Sequence, residues 1–324
     1  MATQSLYDLA ILDRADEYTG LIEDVTTLAP EFSTFSAHKR PGTWYKTVKR
    51  TGLPVVTFRN ANAGVTASKS GYKSEIKEMF FLDGRLQMDE AVWEADSAHL
   101  GSLWQLEAAG AVRAGGILIG QQTWYGTSAD SAGFTGIRSQ LADSVAAGGT
   151  TNSTSAYLVW MDDQQGCRYD VGMDGAFAIS APFRQQVVDP ADSTKSFFAY
   201  VGNLKAWVGL NVLSNLSAWG VTGITSTASQ WLTDDKVAQL IAKIPVARRN
   251  NLRLFVNRAA HSYLQRSRST VNLGVNPAGT TSGTLASYQS GGADGRPAFS
   301  PLPESTNGIP ITLTDSILNT ETNS

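Results

Sequence analysis

Residues 42–77, GTWYKTVKRTGLPVVTFRNANAGVTASKSGYKSEIK, are the stretch that decides how the rest of the chain is interpreted. Its β-branched and aromatic residues favour extended backbone, and Pro54 excludes a helix interior. Residues 60–71 are rich in glycine, alanine and serine and poor in apolar surface. The stretch therefore predicts two extended arms joined by a tip. Because an isolated two-stranded ribbon is only marginally stable in water, we expect this hairpin to lie on another surface.

The hairpin is also strongly basic, since Glu75 is the only acid among its cations. We predict salt bridges from these cations to acidic faces of neighbouring copies. Contact with nucleic acid is the alternative, but residues 60–71 lack the stacking aromatics typical of single-strand binding. A solvated face without a partner is a third interpretation. The candidate contact residues are Lys46, Lys49, Arg50, Arg59, Lys69, Lys73 and Lys77.

The composition favours a protein that assembles. Charged residues make up 17% of the 324, below the roughly 25% usual for soluble domains. Hydrophobic content is ordinary at 42%, so the shortage of charge suggests surface hidden against neighbours. The net charge of -3 gives no general attraction to nucleic acid or membranes. No window approaches the roughly 20 apolar residues of a membrane span, and the acidic start MATQSLYDLAILDRADEYTG predicts no export signal.

The remaining chain alternates between helical and extended patterns. The most distinct helix is predicted at 233–244, where Thr233 can cap the start and Pro245 ends the pattern. Other helices are predicted at 6–13, 18–28, 100–121 and 257–268. Strands are predicted at 156–161, 196–224 (one or two), 252–256 and 308–321, and loops at 126–155, 162–170 and 271–308.

The sequence contains no residue pattern typical of catalysis or metal binding. His38, His99 and His261 have no partner at metal-ligand spacing, and phosphate-loop and nucleophile-elbow motifs are absent from the sequence. The adjacent Asp162 and Asp163 are predicted to form a solvated turn. Cys167 is interpreted as a lone structural thiol, and it excludes an intrachain disulfide framework. We therefore expect no enzyme activity, no cofactor and no metal site.

Three segments in order resemble one family. They are RTGLPVVTFRNANAGVTASKS at 50–70, VNRAAHSYLQRS at 256–267 and GIPITLTDSILNTE at 308–321. Together they resemble the major capsid proteins of tailed phages of the Hong Kong 97 type, in particular the coat proteins of short-tailed, epsilon15-like phages. With the element order between them, the resemblance spans nearly the whole chain.

The resemblance implies an α+β capsid fold. That fold has an N-terminal arm, an extended loop (E-loop), a peripheral domain (P-domain) built on a spine helix and a long sheet, and an axial domain (A-domain). The implied boundaries are 1–41 for the N-terminal arm; 42–84 for the E-loop; 85–150 with part of 195–225 for the P-domain, including a spine helix at 100–121; 151–307 mainly for the A-domain; and 308–324 for the C-terminal strand and tail.

The implied function is self-assembly into hexamers and pentamers of an icosahedral shell. The shell would enclose double-stranded phage DNA, with non-specific contacts on its inner face. Implied partners are further copies of the chain, a scaffolding protein, a portal and a cement or decoration protein, with no membrane. The implied location is the virion, assembled in the bacterial cytoplasm. The alternatives are an encapsulin-like nanocompartment shell protein and an α/β hydrolase-type enzyme.

Overall fold

The computed structural model describes residues 27, 29–96, 103–173, 178–189, 192–272 and 302–322. The helices predicted at 6–13 and 18–28 and most of the loop predicted at 271–308 lie outside these residues. The strands are β1 (Ala37–Arg40), β2 (Trp44–Gly52), β3 (Gly71–Glu78), β4 (Phe80–Asp89), β5 (Asp143–Ala146), β6 (Thr154–Trp160), β7 (Cys167–Gly172), β8 (Ala178–Ile179), β9 (Phe183–Val188), β10 (Ser196–Val212), β11 (Ala218–Ile224), β12 (Leu252–Val256), β13 (Ser305–Thr306) and β14 (Ile309–Leu313). The helices are α1 (Glu31–Thr34), α2 (Glu90–Asp96), α3 (Leu103–Tyr125), α4 (Asp234–Ala242) and α5 (Arg258–Asn272).

The strands form three sheets. The first sheet has the order β1-β7-β10-β4, and β8 and β9 also pair with β10. The second has the order β13-β14-β12-β6-β11-β5. The third is the hairpin β2-β3. The two strands predicted within 196–224 are both present, but they lie in different sheets, and β7 to β10 share the first sheet with β4. Residues 151–307 therefore contribute to both large sheets.

Two of the three apolar clusters among the described residues explain this arrangement. One lies between the first sheet, the second sheet and α3, and it includes Tyr169, Leu210 and Tyr157. The other lies between the second sheet and helices α4 and α5, and it includes Leu158 and Leu240. Every residue of β6 is buried, because successive side chains point into the two different cores. The buried strand predicted at 156–161 is confirmed.

Helix α3 covers most of the predicted 100–121 helix and continues to Tyr125. It ends where Gly126 adopts a positive φ of +58°, and a Cβ there would lie 2.1 Å from the backbone nitrogen of Gly136. Glycine is therefore required at this turn. Phe134 and Ile137 anchor the following loop in the core. That loop also contains β5, a strand the sequence pattern did not predict.

The helix predicted at 233–244 is confirmed as α4. The Thr233 hydroxyl accepts a hydrogen bond from the Lys236 backbone nitrogen at 3.2 Å, which satisfies a free donor of the first turn. Strand β12 and helix α5 occupy the predicted positions. At the β12–α5 junction, the buried Asn257 side chain caps the helix by accepting from the Ala260 nitrogen at 2.8 Å.

The prediction of a polar turn across 162–170 is wrong for its second half. Cys167–Gly172 is strand β7, which pairs with β1 and β10 and is buried along almost its whole length. Its charged residues Arg168 and Asp170 suggested solvent exposure. They are instead buried together, with an Arg168 Nε to Asp170 Oδ1 distance of 3.3 Å. The charges are tolerated because partners from distant strands surround them.

Candidate functional site

The hairpin predicted at 42–77 is present, and its two faces differ. The strands β2 and β3 pair antiparallel, with Trp44 opposite Glu78 and Lys49 opposite Lys73. Residues 53–70 between them form no regular strand, and all but residue 70 are exposed. Because side chains alternate across a strand, one face points towards the body of the molecule and the other points away from it.

The inner face carries a cluster of charges centred on Glu75. Its carboxylate lies 2.7 Å from Lys49 Nζ, 3.4 Å from Lys77 Nζ and 3.8 Å from Lys73 Nζ. The Lys49 hydrogen bond lowers the pKa of Glu75. Burial, together with the nearby Lys49 charge, lowers the pKa of Lys77. This face therefore neutralises part of its own charge.

Polar contacts hold the base of the hairpin on the first sheet. The Tyr45 hydroxyl donates to the Asp170 carboxylate, and Lys49 Nζ donates to Asn215 Oδ1 at 3.1 Å. Burial and the contact with Asp170 raise the pKa of Tyr45 to about 12, so the phenol remains protonated. Lys77 Nζ donates to the Val212 carbonyl at 3.4 Å. The base is thus anchored by hydrogen bonds with little apolar packing.

The outer face and the tip expose large apolar side chains. On the outer face these side chains stand more than half exposed, and at the tip Val56 is 88% exposed and Phe58 is fully exposed. The exposed apolar side chains make the outer face and the tip a candidate site of association. The apolar residues are Trp44, Val48, Tyr72 and Ile76 on the outer face and Leu53, Val55, Val56, Phe58 and Val65 at the tip.

The structure divides the seven predicted contact residues into two groups. Lys49, Lys73 and Lys77 converge on Glu75, as described above. The other four are exposed. Of these, the Arg50 guanidinium lies 5.7 Å from the Tyr72 ring centroid, and Arg59 donates to the Ala63 carbonyl at 2.8 Å. Lys46 and Lys69 complete the exposed group.

Sequence reasoning treated the apolar residues of the hairpin only as strand formers. The signal that could have identified them as contact residues was their alternation. Trp44 and Val48 on one arm, and Tyr72 and Ile76 on the other, occupy one face of the ribbon, whereas the lysines near Glu75 occupy the other face. An apolar face on a ribbon without a core of its own is a candidate contact surface.

A second exposed aromatic surface lies on the outer face of the first sheet. Phe81 of β4 and Trp207 of β10 are cross-strand partners with ring centroids 4.9 Å apart, and both side chains are at least 40% exposed. Asp83 is exposed on the same face of β4. This surface combines aromatic rings with charge.

The histidines and the cysteine considered as candidates for chemistry have surroundings typical of structural residues. His38 Nε2 lies 2.5 Å from Asp163, and His261 Nε2 lies 2.8 Å from the Pro303 carbonyl oxygen; His99 lies outside the described residues. Cys167 is buried, and burial raises its pKa to about 12 despite the charge of Lys77. Among the described residues, no group of three histidine, cysteine or carboxylate side chains could hold a metal. No described helix is both long and apolar enough to cross a bilayer.

Comparison with known proteins identifies the family. The model of the family "major capsid protein GP7" matches residues 37–324. The chain belongs to this family. It is a phage coat protein that forms the capsid shell and is a component of the virion. A search among curated proteins found no match.

A solved phage structure contains a chain that shares the fold of this coat protein. A chain in a near-atomic structure of bacteriophage epsilon15 has a TM-score of 0.68 at 19% identity, covering 99% of this chain and 97% of that one. The bacteriophage JBD30 capsid has a TM-score of 0.48 at 9% identity, covering 97% and 99% of the two chains. The capsid of Myoviridae phage XM1 has a TM-score of 0.47 at 8% identity, covering 63% and 95%. The predicted α+β phage capsid fold is confirmed, and neither the nanocompartment nor the hydrolase alternative is supported.

Proposed function

We propose that the hairpin of one coat protein copy clasps the neighbouring copy. The observation that carries this proposal is the apolar tip: Val56 and Phe58 extend into solvent, although the chain buries many large apolar residues in its cores. A subunit that assembles can bury such residues against a second copy. The charges of the hairpin then orient the contact, because polar and charged groups contribute more to specificity than to affinity.

The acceptor in this proposal is the outer face of the neighbour's first sheet. Phe81 and Trp207 supply an aromatic surface for the apolar tip, and Asp83 supplies a carboxylate for the exposed arginines Arg50 and Arg59. A specific interface buries about 800 Å² per partner. Contacts of that size, repeated around a closed lattice, hold each copy by several neighbours at once and make dissociation of any one copy slow.

The test is a double variant of the tip, Val56→Ser with Phe58→Ser. Because both side chains are exposed within one copy, we expect an unchanged thermal unfolding midpoint and a loss of shells in negative-stain micrographs. Val246→Ser is the matched control, since Val246 is 79% exposed outside the hairpin. Shells formed at normal yield by the double variant, or lost equally in the control, would contradict the clasp.

The charged part of the clasp is tested separately by Arg50→Glu with Arg59→Glu. Both arginines are exposed, so the variant should fold normally while shell yield falls. The defect should resemble that of wild-type protein assembled at high salt, because salt screens exposed charges. Normal shells from this variant would leave the apolar tip as the sole contact.

The finer assignments complete the proposal. The coat protein acts without chemistry of its own, forms hexamers and pentamers of an icosahedral shell around double-stranded DNA, and assembles in the bacterial cytoplasm. Scaffolding protein, portal and a cement protein are its proposed partners. Negative-stain micrographs of purified protein should show rings of five and six or uniform shells. Only monomers at high concentration would contradict this assembly.

A further inference from the structure

Strand β9 forms an open edge of the first sheet. It pairs antiparallel with β10 on one side, with Phe183 opposite Val201. Among the described residues, no strand pairs with its other side. Five of its six residues are exposed. Alternate backbone N–H and carbonyl groups of β9 therefore point away from the sheet, and they can pair with a further strand.

This edge lacks the features that usually prevent sheets from pairing edge to edge. Natural edge strands are commonly protected by lysine, proline or charge, or by being short. Strand β1 carries His38, Lys39 and Arg40 within four residues, and β5 at one edge of the second sheet has four residues and one acid. Strand β9, FRQQVV, contains neither lysine nor proline, and its end residues Phe183 and Val188 are exposed apolar side chains. Its composition therefore favours pairing.

The one charged residue in the sequence of β9 is neutralised within the same copy. The Arg184 guanidinium donates two hydrogen bonds to the Glu90 carboxylate of α2, at 2.6 and 3.0 Å. It also lies 3.9 Å from the ring centroid of Phe198 on β10. These contacts hold the side chain towards β10 and α2. Two copies of the edge can therefore approach each other without an unpaired charge between them.

We propose that β9 pairs with β9 of a second copy of the coat protein, antiparallel about a two-fold axis. The first sheets of the two copies then form one continuous sheet. Backbone hydrogen bonds supply the contact, as they do wherever a strand is added to an open sheet edge. A two-fold contact uses the same surface on both copies, so β9 must be complementary to itself.

The sequence of β9 meets this requirement in one register. Side chains alternate between the faces of a strand, so a two-fold axis normal to the sheet places one residue opposite itself. With Gln185 on the axis, Phe183 lies opposite the partner's Val187. With Gln186 on the axis, Val187 would instead lie opposite the partner's Gln185. The first register matches apolar with apolar side chains, and we assign it to the contact.

The pairing is expected in shells and not in dilute subunits. A contact of six residues on each side is smaller than the ~800 Å² per partner of a standard interface. It gains strength where other contacts already hold the copies together, because the second contact is then effectively intramolecular. The hairpin at 42–77 is not part of β9, so this inference is independent of the clasp.

Disulfide trapping in assembled shells tests the pairing. Opposed residues of an antiparallel pair have Cα atoms about 4.5–5.5 Å apart, which lies within the ~4.4–6.8 Å range of disulfides. Gln185→Cys should therefore give a covalent dimer on a non-reducing gel after mild oxidation. Ser193→Cys is the matched control, because Ser193 is exposed in the β9–β10 turn and lies roughly 20 Å or more from its symmetry mate in this register. The native Cys167 is buried and should stay reduced.

Charge substitution on the axis tests the self-pairing directly. Gln185→Lys and Gln185→Glu each place like charges opposite one another, whereas co-assembly of the two variants places opposite charges there. Shells of either variant alone should dissociate at a lower temperature than wild-type shells, as followed by light scattering. Co-assembled shells should recover the wild-type midpoint, and Ser193→Lys should leave it unchanged. Because Gln185 is exposed, unassembled subunits of all variants should unfold at the wild-type temperature.

Three results would overturn the pairing. They are the absence of a dimer from Gln185→Cys in intact shells, an equal dimer yield from Ser193→Cys, and co-assembled lysine and glutamate shells that are no more stable than either alone. Every variant keeps the hairpin at 42–77 unchanged. Failure of the clasp is therefore recognised separately, as normal shells from Val56→Ser with Phe58→Ser.

Discussion

The hairpin and the second sheet contain similar strand-forming residues, but the apolar ones are buried in the second sheet and exposed in the hairpin. Strand β6, TSAYLVW, is buried at every position between two cores. Strand β2, WYKTVKRTG, has its apolar residues Trp44 and Val48 exposed and is fixed by polar contacts at its base. The comparison shows that strand-forming residues specify extended backbone. They do not specify which surface covers their side chains. In the second sheet that surface is the same chain, and for the hairpin we propose a neighbour.

The largest expected effect is in the second sheet. Leu158→Ala removes a fully buried side chain from the core between the second sheet and helices α4 and α5, and it should lower the free energy of unfolding by about 2–5 kcal/mol. Val55→Ala in the hairpin is the matched change and should alter the free energy of unfolding by less than about 0.5 kcal/mol. Urea denaturation of unassembled subunits measures both. Equal destabilisation would mean that the hairpin is buried within one copy.

The anchor of the hairpin should show the next largest effect. Asp170→Asn leaves Arg168 buried without its charge partner and weakens the Tyr45 contact. We expect the free energy of unfolding to fall by about 3 kcal/mol, the lower end for a broken buried ion pair, because Arg40 is partly exposed. Hydrogen exchange should become faster in β2 and β3 before it does in β6. Uniform acceleration in all strands would show that the anchor is not local to the hairpin.

Glu31 gives a pH-dependent test in the body. Its buried carboxylate accepts hydrogen bonds from Trp124 Nε1 at 2.7 Å and from Thr314 and Ser316. Burial raises its pKa above the ordinary value of 4.5, and these hydrogen bonds offset part of the rise. Its titration therefore contributes stability that is complete below the unfolded pKa and is lost as pH rises through the folded pKa. Relative to Glu31→Gln, the wild type should gain stability as pH falls from neutral towards 4.5. A pH-independent difference in denaturation would contradict this.

The smallest effect is expected at Glu75. Glu75→Gln removes the counter-charge of Lys49, Lys73 and Lys77. Because the Glu75 carboxylate is partly exposed, the free energy of unfolding should fall by only about a few tenths of a kcal/mol. The pKa of Glu75 is lowered, so its contribution is present above the unfolded pKa and is lost as pH falls through the folded pKa. Thermal unfolding at pH 7 and at pH 3 measures this. A loss above 1 kcal/mol would indicate a tighter cluster, since isolated surface pairs contribute about 0–1 kcal/mol.

Local signals predicted elements wherever the stabilising residues are close in sequence. Thr233 and Pro245 bracket α4, and the apolar run at 156–161 predicts β6, because capping and strand preference act over a few residues. Strand β7 was missed because Arg168 and Asp170 are buried only with help from Arg40, Tyr45 and Asn211. No short window contains those partners.

The candidate site was predicted in part for the same reason. Its position in the hairpin and its seven cations follow from the composition of 42–77. The pairing of Lys49, Lys73 and Lys77 with Glu75 depends on the register of β2 and β3. The exposure of Val56 and Phe58 depends on whether the body covers them, which composition does not encode.

The sequence by itself determined the family, the extended hairpin with its positive charge, and the helices and strands whose signals are local. Only the tertiary structure decided which β-forming residues are covered and which charges are paired. The physical reason is the distance along the chain over which each kind of interaction acts. Backbone preference and capping act between neighbours in the chain, whereas burial and charge pairing depend on strands that meet in space across more than 100 residues, as Tyr45 and Asp170 do.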